Sequence, residues 1–251
     1  MPSPIATSPS KTKRSSRTPA TEGKESVAVL IATAQRLFAE RGIDAVSMRE
    51  IAREAGQKNN SALTYHFGSK EALIQAILDT GMQEVNVLRN DYVDRLFTSG
   101  RHKDLRALTE ALVWPLAAKL LTERKNTYNR FLAAAQLHPD IDLGASSAEM
   151  DRGFRRVYEL IEVALPAIPG PVLRQRWLAS ISFMVFALGD YERLSTRRSK
   201  SGQPFDIHRA IENLIDMLTG ALAAPVSEEV ARRAAASSPL SANPNPMAPE
   251  R

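Results

Sequence analysis

The 251-residue sequence contains no cysteine. Disulfides, thiolate zinc sites, iron–sulfur clusters and cysteine nucleophiles are therefore excluded together. Long apolar runs are also missing, since the longest one without a charge, Trp177 to Gly189, has 13 residues, whereas a bilayer-spanning helix needs about 20. The N-terminal stretch has only scattered apolar residues and no secretory h-region. We therefore expect a soluble cytoplasmic protein with no membrane partner.

Catalytic motifs are equally scarce. The sequence has no GxGxxG, P-loop or GxSxG segment, and no Glu-x-x-His pair of the kind that holds a di-metal centre in a helical bundle. Its histidines are far apart and lack the i, i+4 spacing of a helical metal site: His66, His102, His138 and His208. We therefore expect no enzymatic activity, no catalytic or metal-binding residues and no cofactor.

Excess positive charge is confined to the first part of the chain. Residues 1–72 contain 11 Lys and Arg against 7 Asp and Glu, a net charge of +4, whereas the other 179 residues contain 22 against 21, a net of +1. Such an imbalance indicates a polyanionic partner for the N-terminal end. A basic disordered tail without a partner has the same charge, so both interpretations stay open at this point.

The two ends of the chain differ in composition from its middle. Residues 1–25 are rich in Ser, Thr and Pro with scattered Lys and Arg, and residues 225–251 are rich in Ala, Ser, Pro and Asn. We predict two disordered tails, the first of them basic. Between the tails the apolar residues repeat with the helical period, without strand alternation. The sequence therefore predicts an all-α protein of about nine helices.

Four helices begin the middle region. The first has an apolar stripe from Val27 to Phe38 and stops at Gly42. The second begins with a capping box from Ser47 to Glu50 and ends at Gly56. A third helix is predicted from about Asn60 to Phe67, and a long fourth one from Ser69 to about Phe97. Two short helices joined by a glycine turn are typical of a helix-turn-helix.

Outward side chains around this turn suit contact with DNA. Amide groups at the start of a helix can pair with adenine edges in the major groove, and hydroxyl, imidazole and ammonium groups can contact phosphates. At any single position the alternative is a solvated helix face. The candidate DNA-binding residues are Ser47, Arg49, Gln57, Lys58, Asn59, Asn60, Ser61, Thr64, Tyr65, His66 and Lys70.

The stretch from Val27 to Leu78 contains LFAERG, SMREIAREAG and TYHFGSKEAL in that order. In these motifs it resembles the N-terminal domain of TetR-family transcriptional regulators, over about one fifth of the chain. The resemblance implies that the helix from Asn60 to Phe67 is the recognition helix. It also places Tyr65, His66 and Lys70 where family members commonly contact the DNA backbone.

The same resemblance implies an organisation and a function. Residues 26–84 would form the DNA-binding domain and residues 85–224 an all-helical ligand-binding and dimerisation domain. The chain would be a ligand-responsive repressor that binds a palindromic operator as a homodimer. The segment from Gly56 to Leu63 is one residue longer than the usual family turn, so which residues between Gln57 and Ser61 contact bases stays open.

Five further helices are predicted near Lys103–Thr122, Asn126–Leu137, Ser147–Leu165, Val172–Thr196 and Asp206–Ala223. Their aromatic residues could line a cavity for a largely apolar small-molecule effector, although plain core packing is the commoner role: Trp114, Tyr128, Phe131, Phe154, Tyr158, Trp177 and Phe186. Apolar stripes on the last two helices could form a dimer interface or serve the core of one chain: Ile181, Val185, Leu188, Ile211, Leu214, Ile215 and Leu218.

Three hypotheses of function follow from these features. The favoured one is the ligand-responsive DNA-binding dimer. The second is a sequence-independent DNA coater that uses only the basic N-terminus, which would lack a specificity ratio between sites. The third is a small-molecule enzyme or carrier built on a helical bundle, suggested only by the scattered aromatic residues.

Overall fold

The described part of the chain consists of α-helices. The computed structural model describes residues 19–57, 61–122, 126–141, 148–196 and 204–236, and within them it contains no strand. The all-α prediction is therefore confirmed, with ten described helices. They are α1 (Pro19–Arg41), α2 (Met48–Glu54), α3 (Ser61–Phe67), α4 (Lys70–Thr98), α5 (Leu105–Thr122), α6 (Tyr128–Gln136), α7 (Ala148–Ala164), α8 (Gly170–Thr196), α9 (Ile207–Ala223) and α10 (Glu228–Ala236).

Helices α1 to α3, which we call the head, fold around a small apolar core. Four residues of the α1 stripe are fully buried, and so are Ile51 of α2 and Leu63 of α3: Leu30, Ala34, Leu37 and Phe38. Helices as short as α2 and α3 are unstable alone in water, and each buried Leu or Ile contributes roughly 1.5–3 kcal/mol. Packing on α1 therefore holds both short helices in place.

The long helix α4 connects the head to helices α5 to α9, which we call the body. It has 29 residues and extends for about 44 Å at about 1.5 Å per residue. Near its end, Tyr92 Oη donates a hydrogen bond to Glu110 of α5 at 2.9 Å, and Arg156 of α7 pairs with Asp94 at 2.5 Å. Burial and the Glu110 contact raise the pKa of Tyr92 to about 12.

The head also contacts the body directly, through α1 and α6. The Phe38 and Phe131 rings are stacked with centroids 6.2 Å apart and planes inclined by 27°, and both side chains are fully buried. Two polar contacts lie beside the rings: Gln35 Nε2 donates to Thr127 Oγ1 at 3.1 Å, and His138 Nε2 lies 3.0 Å from Asp44 Oδ1. We call this set of contacts the α1–α6 seam.

Helix α1 begins within the predicted N-terminal tail. Its first residue is Pro19, so residues 19–25 of the predicted tail are helical in the structure. Proline suits the first turn of a helix, because its φ is already helical and its missing amide has no partner there. The residues before Pro19 lie outside the described part of the chain.

Helix α10 lies within the predicted C-terminal tail, residues 225–251, and its end at Ala236 is followed by residues outside the described part. Ser227 caps it by accepting from the Val230 amide at 3.4 Å. The first turn contains two glutamates, which a helix N-terminus favours. Residues 228–236 of the predicted tail are therefore helical in the structure.

The described residues contain neither a membrane-spanning helix nor a metal-binding cluster. No helix there is long and apolar enough to span a bilayer. No group of three or more His, Asp or Glu side chains there is arranged to hold a metal ion.

Candidate nucleic-acid interface

The turn after α2 has a well-defined backbone structure. Gly56 adopts a positive φ of 76°, which an L side chain would resist. Its amide donates to the Arg53 carbonyl at 3.1 Å, and the Gln57 amide donates to the Ala52 carbonyl at 2.9 Å. This pair of bonds is a Schellman motif. The motif ends α2 and redirects the chain toward α3, as the glycine in the sequence predicts.

The start of α2 forms half of the predicted capping box. The Ser47 hydroxyl accepts from the Glu50 amide at 3.2 Å, which satisfies one free donor of the helix N-terminus. The Glu50 carboxylate pairs with Arg41 of α1 and lies 3.8 Å from Arg53. This carboxylate therefore ties α2 to α1.

Helix α3 has one inward and one outward side. Leu63 is fully buried in the head core, whereas Thr64, Tyr65 and His66 are exposed. The Tyr65 ring is 85% exposed and contacts the His66 ring edge-on, with centroids 5.1 Å apart. An aromatic ring held on a rigid helix and left in solvent is available for a partner.

The start of α4 adds a cation beside α3. Ser69 caps α4 by accepting from the Ala72 amide at 3.2 Å. The next residue, Lys70, lies with its ammonium 5.7 Å from the centroid of the Phe38 ring. Backbone and Ser69 hydrogen bonds lower the pKa of Glu71. Lys70 is partly buried and contributes a positive charge at the start of α4, three residues after the end of α3.

The other predicted DNA-binding residues have different surroundings. Ser47, Arg49 and Ser61 are exposed. Gln57 is partly buried, and its side-chain amide lies 3.5 Å from Ser26 Oγ of α1, so it points back toward the head. Three residues lie outside the described part of the chain: Lys58, Asn59 and Asn60.

The residues predicted to line an effector cavity are divided among several places. Phe131 belongs to the α1–α6 seam, and Trp114 lies near His208 of α9. Phe186 is 38% exposed, whereas a residue that lines an enclosed cavity is buried. Three of them do cluster, because the Trp177 ring lies 6.3 Å from Phe154 and 5.5 Å from Tyr158. All three clustered side chains are buried.

A cleft at the junction of head and body was not predicted. Its volume is about 180 Å³, and its walls come from α1, α4, the end of α5 and the start of α6. Tyr128 forms one wall, and an ion pair between Glu84 and Lys119 of 2.5 Å forms another. The residue that could have indicated this cleft in the sequence is Gly81, because a Cβ atom there would overlap the Tyr128 ring.

The predicted dimer-interface residues lie in the core of a single chain. All seven are at most 2% exposed, which corrects the expectation that they face a second copy: Ile181, Val185, Leu188, Ile211, Leu214, Ile215 and Leu218. Burial of these residues satisfies both apolar stripes within one protomer. Other apolar residues of α8 and α9 are exposed instead: Leu178, Phe183, Phe186 and Met217.

Comparison with known proteins agrees with this geometry. Residues 30–77 match the model of the bacterial regulatory proteins of the tetR family, and residues 110–221 match that of the tetracyclin repressor-like C-terminal domain. The HTH-type transcriptional repressor Rv3405c of Mycobacterium tuberculosis and the HTH-type transcriptional regulator Mb3439c of Mycobacterium bovis are each 34% identical over 129 residues, which cover 50% of this chain and 68% of the relative. The solved structure of Mycobacterium smegmatis AmtR has 17% identity and a TM-score of 0.46, covering 90% of this chain and 97% of that one. The chain belongs to the TetR family and is a transcriptional regulator.

Proposed function

We propose that the chain is a ligand-responsive repressor that acts in the cytoplasm and binds a palindromic DNA operator as a homodimer. The observation that carries the proposal is the two-sided helix α3. The buried residue Leu63 anchors it, while Thr64, Tyr65 and His66 are exposed and Lys70 follows at the start of α4. The name of the relative Rv3405c, a repressor, supports the sign of regulation.

We assign two roles to the exposed residues of the head. Tyr65, His66 and Lys70 contact phosphates and fix the register of the head on DNA. The amides that follow the Schellman turn, Asn59 and Asn60, read base edges in the major groove. Gln57 takes a minor part, because its amide points toward Ser26.

The proposed dimer face is the exposed apolar surface of α8 and α9. Phe183 and Phe186 of α8 are exposed by 45% and 38%, and Met217 of α9 by 49%. Exposed aromatic residues that share one helix are typical of interfaces. A dimer formed through this surface must hold its two α3 helices about 34–36 Å apart to enter successive major grooves.

Helix α4 is the proposed route from effector to DNA. It begins directly after α3 and packs on α5 and α7 of the body through the Tyr92 and Arg156 contacts. An effector that prefers one position of α4 changes the spacing of the two heads and so the operator affinity.

Selection of random duplex DNA by the purified full-length chain tests the proposal. At near-physiological salt we expect a palindrome whose half-sites lie about one helical turn apart. Binding without enrichment of any sequence would favour the sequence-independent coater and contradict the proposal. Failure to bind DNA at all would also contradict it.

Variants separate the two proposed roles on the selected site. Tyr65→Ala and Lys70→Ala should weaken binding to all sequences about equally. Asn60→Ala should instead change which base is preferred at one position, with a loss of about 1–3 kcal/mol in binding free energy for the original base. Lys103→Ala removes a positive charge from an exposed position of the body and serves as the matched control. Uniform weakening by all three head variants would show that Asn60 reads no base.

The dimer face has its own test. Phe183→Asp should give monomers in sedimentation equilibrium and weaken operator binding, because a charge would be buried between the protomers. Val163→Asp changes another exposed apolar residue, on α7, and should leave the dimer intact. A dimer that survives Phe183→Asp would place the interface elsewhere.

A further inference from the structure

We infer that Arg89 binds the carboxylate of a small-molecule effector and that Phe154, Tyr158 and Trp177 contact the apolar remainder of this molecule. This inference rests on the proposed ligand-responsive function and adds the chemical class of the ligand. The site lies between α4, α5, α7 and α8.

Arg89 is a fully buried cation without an acidic partner among the described residues. Its side chain is 0% exposed. Nη1 donates to Asn86 Oδ1 at 2.9 Å, Nη2 donates to the Leu112 carbonyl at 3.4 Å, and Nε has no hydrogen-bond partner. The bond from Nη2 is long for a hydrogen bond to a charged donor. One edge of the guanidinium is therefore incompletely satisfied.

Two other arginines of the body have the carboxylate partners that Arg89 lacks among the described residues. Arg106 pairs with Glu212 at 2.5 Å and Asp216 at 3.0 Å, and Arg130 pairs with Glu192 at 2.7 Å. Each of these cations keeps some exposure to solvent as well as an acidic partner. Arg89 has neither, although burial of an unpaired charge is costly. Burial lowers the pKa of Arg89 to about 9.

The surroundings of Arg89 fit a planar monoanion with an apolar body. The Phe154 ring covers one face of the guanidinium, with its centroid 3.8 Å from the central carbon. Stacking on the face leaves the edge with Nε and Nη2 for two parallel bonds to a carboxylate. The Phe154 ring contacts the Trp177 ring, which contacts Tyr158 in turn, so the apolar part of the ligand would meet this aromatic cluster.

The Tyr158 ring belongs to the same aromatic cluster as Phe154 and Trp177. Its side chain is buried, and its hydroxyl lies close to Glu162 of the same helix. Burial and the nearby Glu162 raise the pKa of Tyr158 to about 12, so the group is a neutral donor near pH 7. Gly153 of α7 allows the close approach to Arg89, because a Cβ there would lie 2.9 Å from Asn86 Oδ1 and 3.3 Å from Arg89 Cδ.

The position of Arg89 connects ligand binding to the DNA-binding head. It lies on α4, about 28 Å from the start of that helix at about 1.5 Å per residue. A carboxylate that bonds to Arg89 while its apolar part contacts α7 and α8 would fix α4 relative to the body. The ligand would thereby act on the element that carries α3.

Matched pairs of acids and amides test the inference on the full-length chain. The probes are benzoate, phenylacetate, indole-3-acetate and octanoate, each compared with its neutral amide by calorimetry and by the shift in Tm. At least one acid should bind ten-fold or more tightly than its amide. Arg89→Met should abolish this preference, whereas Arg89→Lys should keep the preference with weaker binding.

Arg95→Met is the matched control, because it removes a positive charge from an exposed position of the same helix. It should retain the full preference for the acid. Circular dichroism establishes whether each variant is folded. If Arg89→Met is not folded, the comparison of the wild type with Arg89→Lys still tests the inference. If no acid is preferred by the wild-type chain, or if Arg89→Met keeps the preference, the inference is overturned.

Operator binding measured on the same samples distinguishes this inference from the proposed function. A selected palindrome together with equal binding of acids and amides would overturn only the role of Arg89. Acid binding through Arg89 by a chain that selects no DNA sequence would overturn only the proposed function. An acid that binds through Arg89 and changes operator affinity would support both.

Discussion

Replacement of Arg89 by methionine should stabilise the fold, although it removes two hydrogen bonds and a ring contact. Burial lowers the pKa of Arg89 from its ordinary value to about 9, which corresponds to several kcal/mol against the charged form in the folded chain. The hydrogen bonds to Asn86 and Leu112 and the contact with the Phe154 ring each offset about 1 kcal/mol of this cost. The net gain for an apolar side chain of similar length is therefore about 1–3 kcal/mol, in the range known for replaced buried charges.

The stabilisation should also depend on pH in a defined direction. The folded-state pKa of Arg89, about 9, lies below its ordinary unfolded value, so between these two values the unfolded chain binds more protons. Stability then rises with pH through this window in the wild type. The advantage of Arg89→Met should therefore be complete near pH 7 and shrink as the pH rises above 9.

Urea unfolding followed by circular dichroism, near pH 7 and near pH 10, measures both effects. At constant m-value the midpoint of Arg89→Met should be higher than that of the wild type near pH 7. Arg95→Met should lie within about 0.5 kcal/mol of the wild type, because its side chain is exposed. A less stable Arg89→Met variant, or a gain independent of pH, would refute this reasoning.

Three further predictions concern the head and its junction with the body. Leu63→Ala should destabilise the chain by about 2–5 kcal/mol in urea unfolding, because the side chain is fully buried; a loss below 1 kcal/mol would contradict the anchoring role. Gly81→Ala should lower Tm through an overlap with Tyr128, at a cost of about 1–3 kcal/mol, and an unchanged Tm would show that the ring can move. The bond to His138 lowers the pKa of the Asp44 carboxyl below 3.8, so an NMR titration should give a low value that returns to normal in His138→Leu, and equal values in the two proteins would contradict the contact.

The sequence is most informative where structure depends on neighbouring residues. Gly56 predicts the turn because a positive φ is a local requirement, and Ser47 predicts the start of α2 because capping involves residues three apart. The spacing of apolar residues along α3 predicts that Leu63 faces inward, and the side chain is fully buried. The second half of the capping box differs because Arg41, from another helix, attracts the carboxylate of Glu50.

The sequence is less informative where the partner of a helix face matters. The stripes of α8 and α9 are apolar enough for either role, and their burial in one chain depends on α5 and α6, which the periodicity does not place. The aromatic character of Phe186 predicts a residue that lines a cavity, yet its side chain is exposed. Arg89 was missed because it is charged, although it stands at helical spacing between Val85 and Val93 in the buried stripe of α4.

The α1–α6 seam has a consequence for the construction of chimeric regulators. Exchange of heads at the predicted boundary after residue 84 would leave Phe38 of one protein opposite an unrelated α6. The stacked rings and the Asp44–His138 contact cross that boundary, so the donor head would lose part of its support. A graft that carries α6 along with α1 to α4, or that restores Phe131 and His138 in the recipient, would keep the supporting surface together. The transferable unit of this regulator is thus discontinuous in sequence.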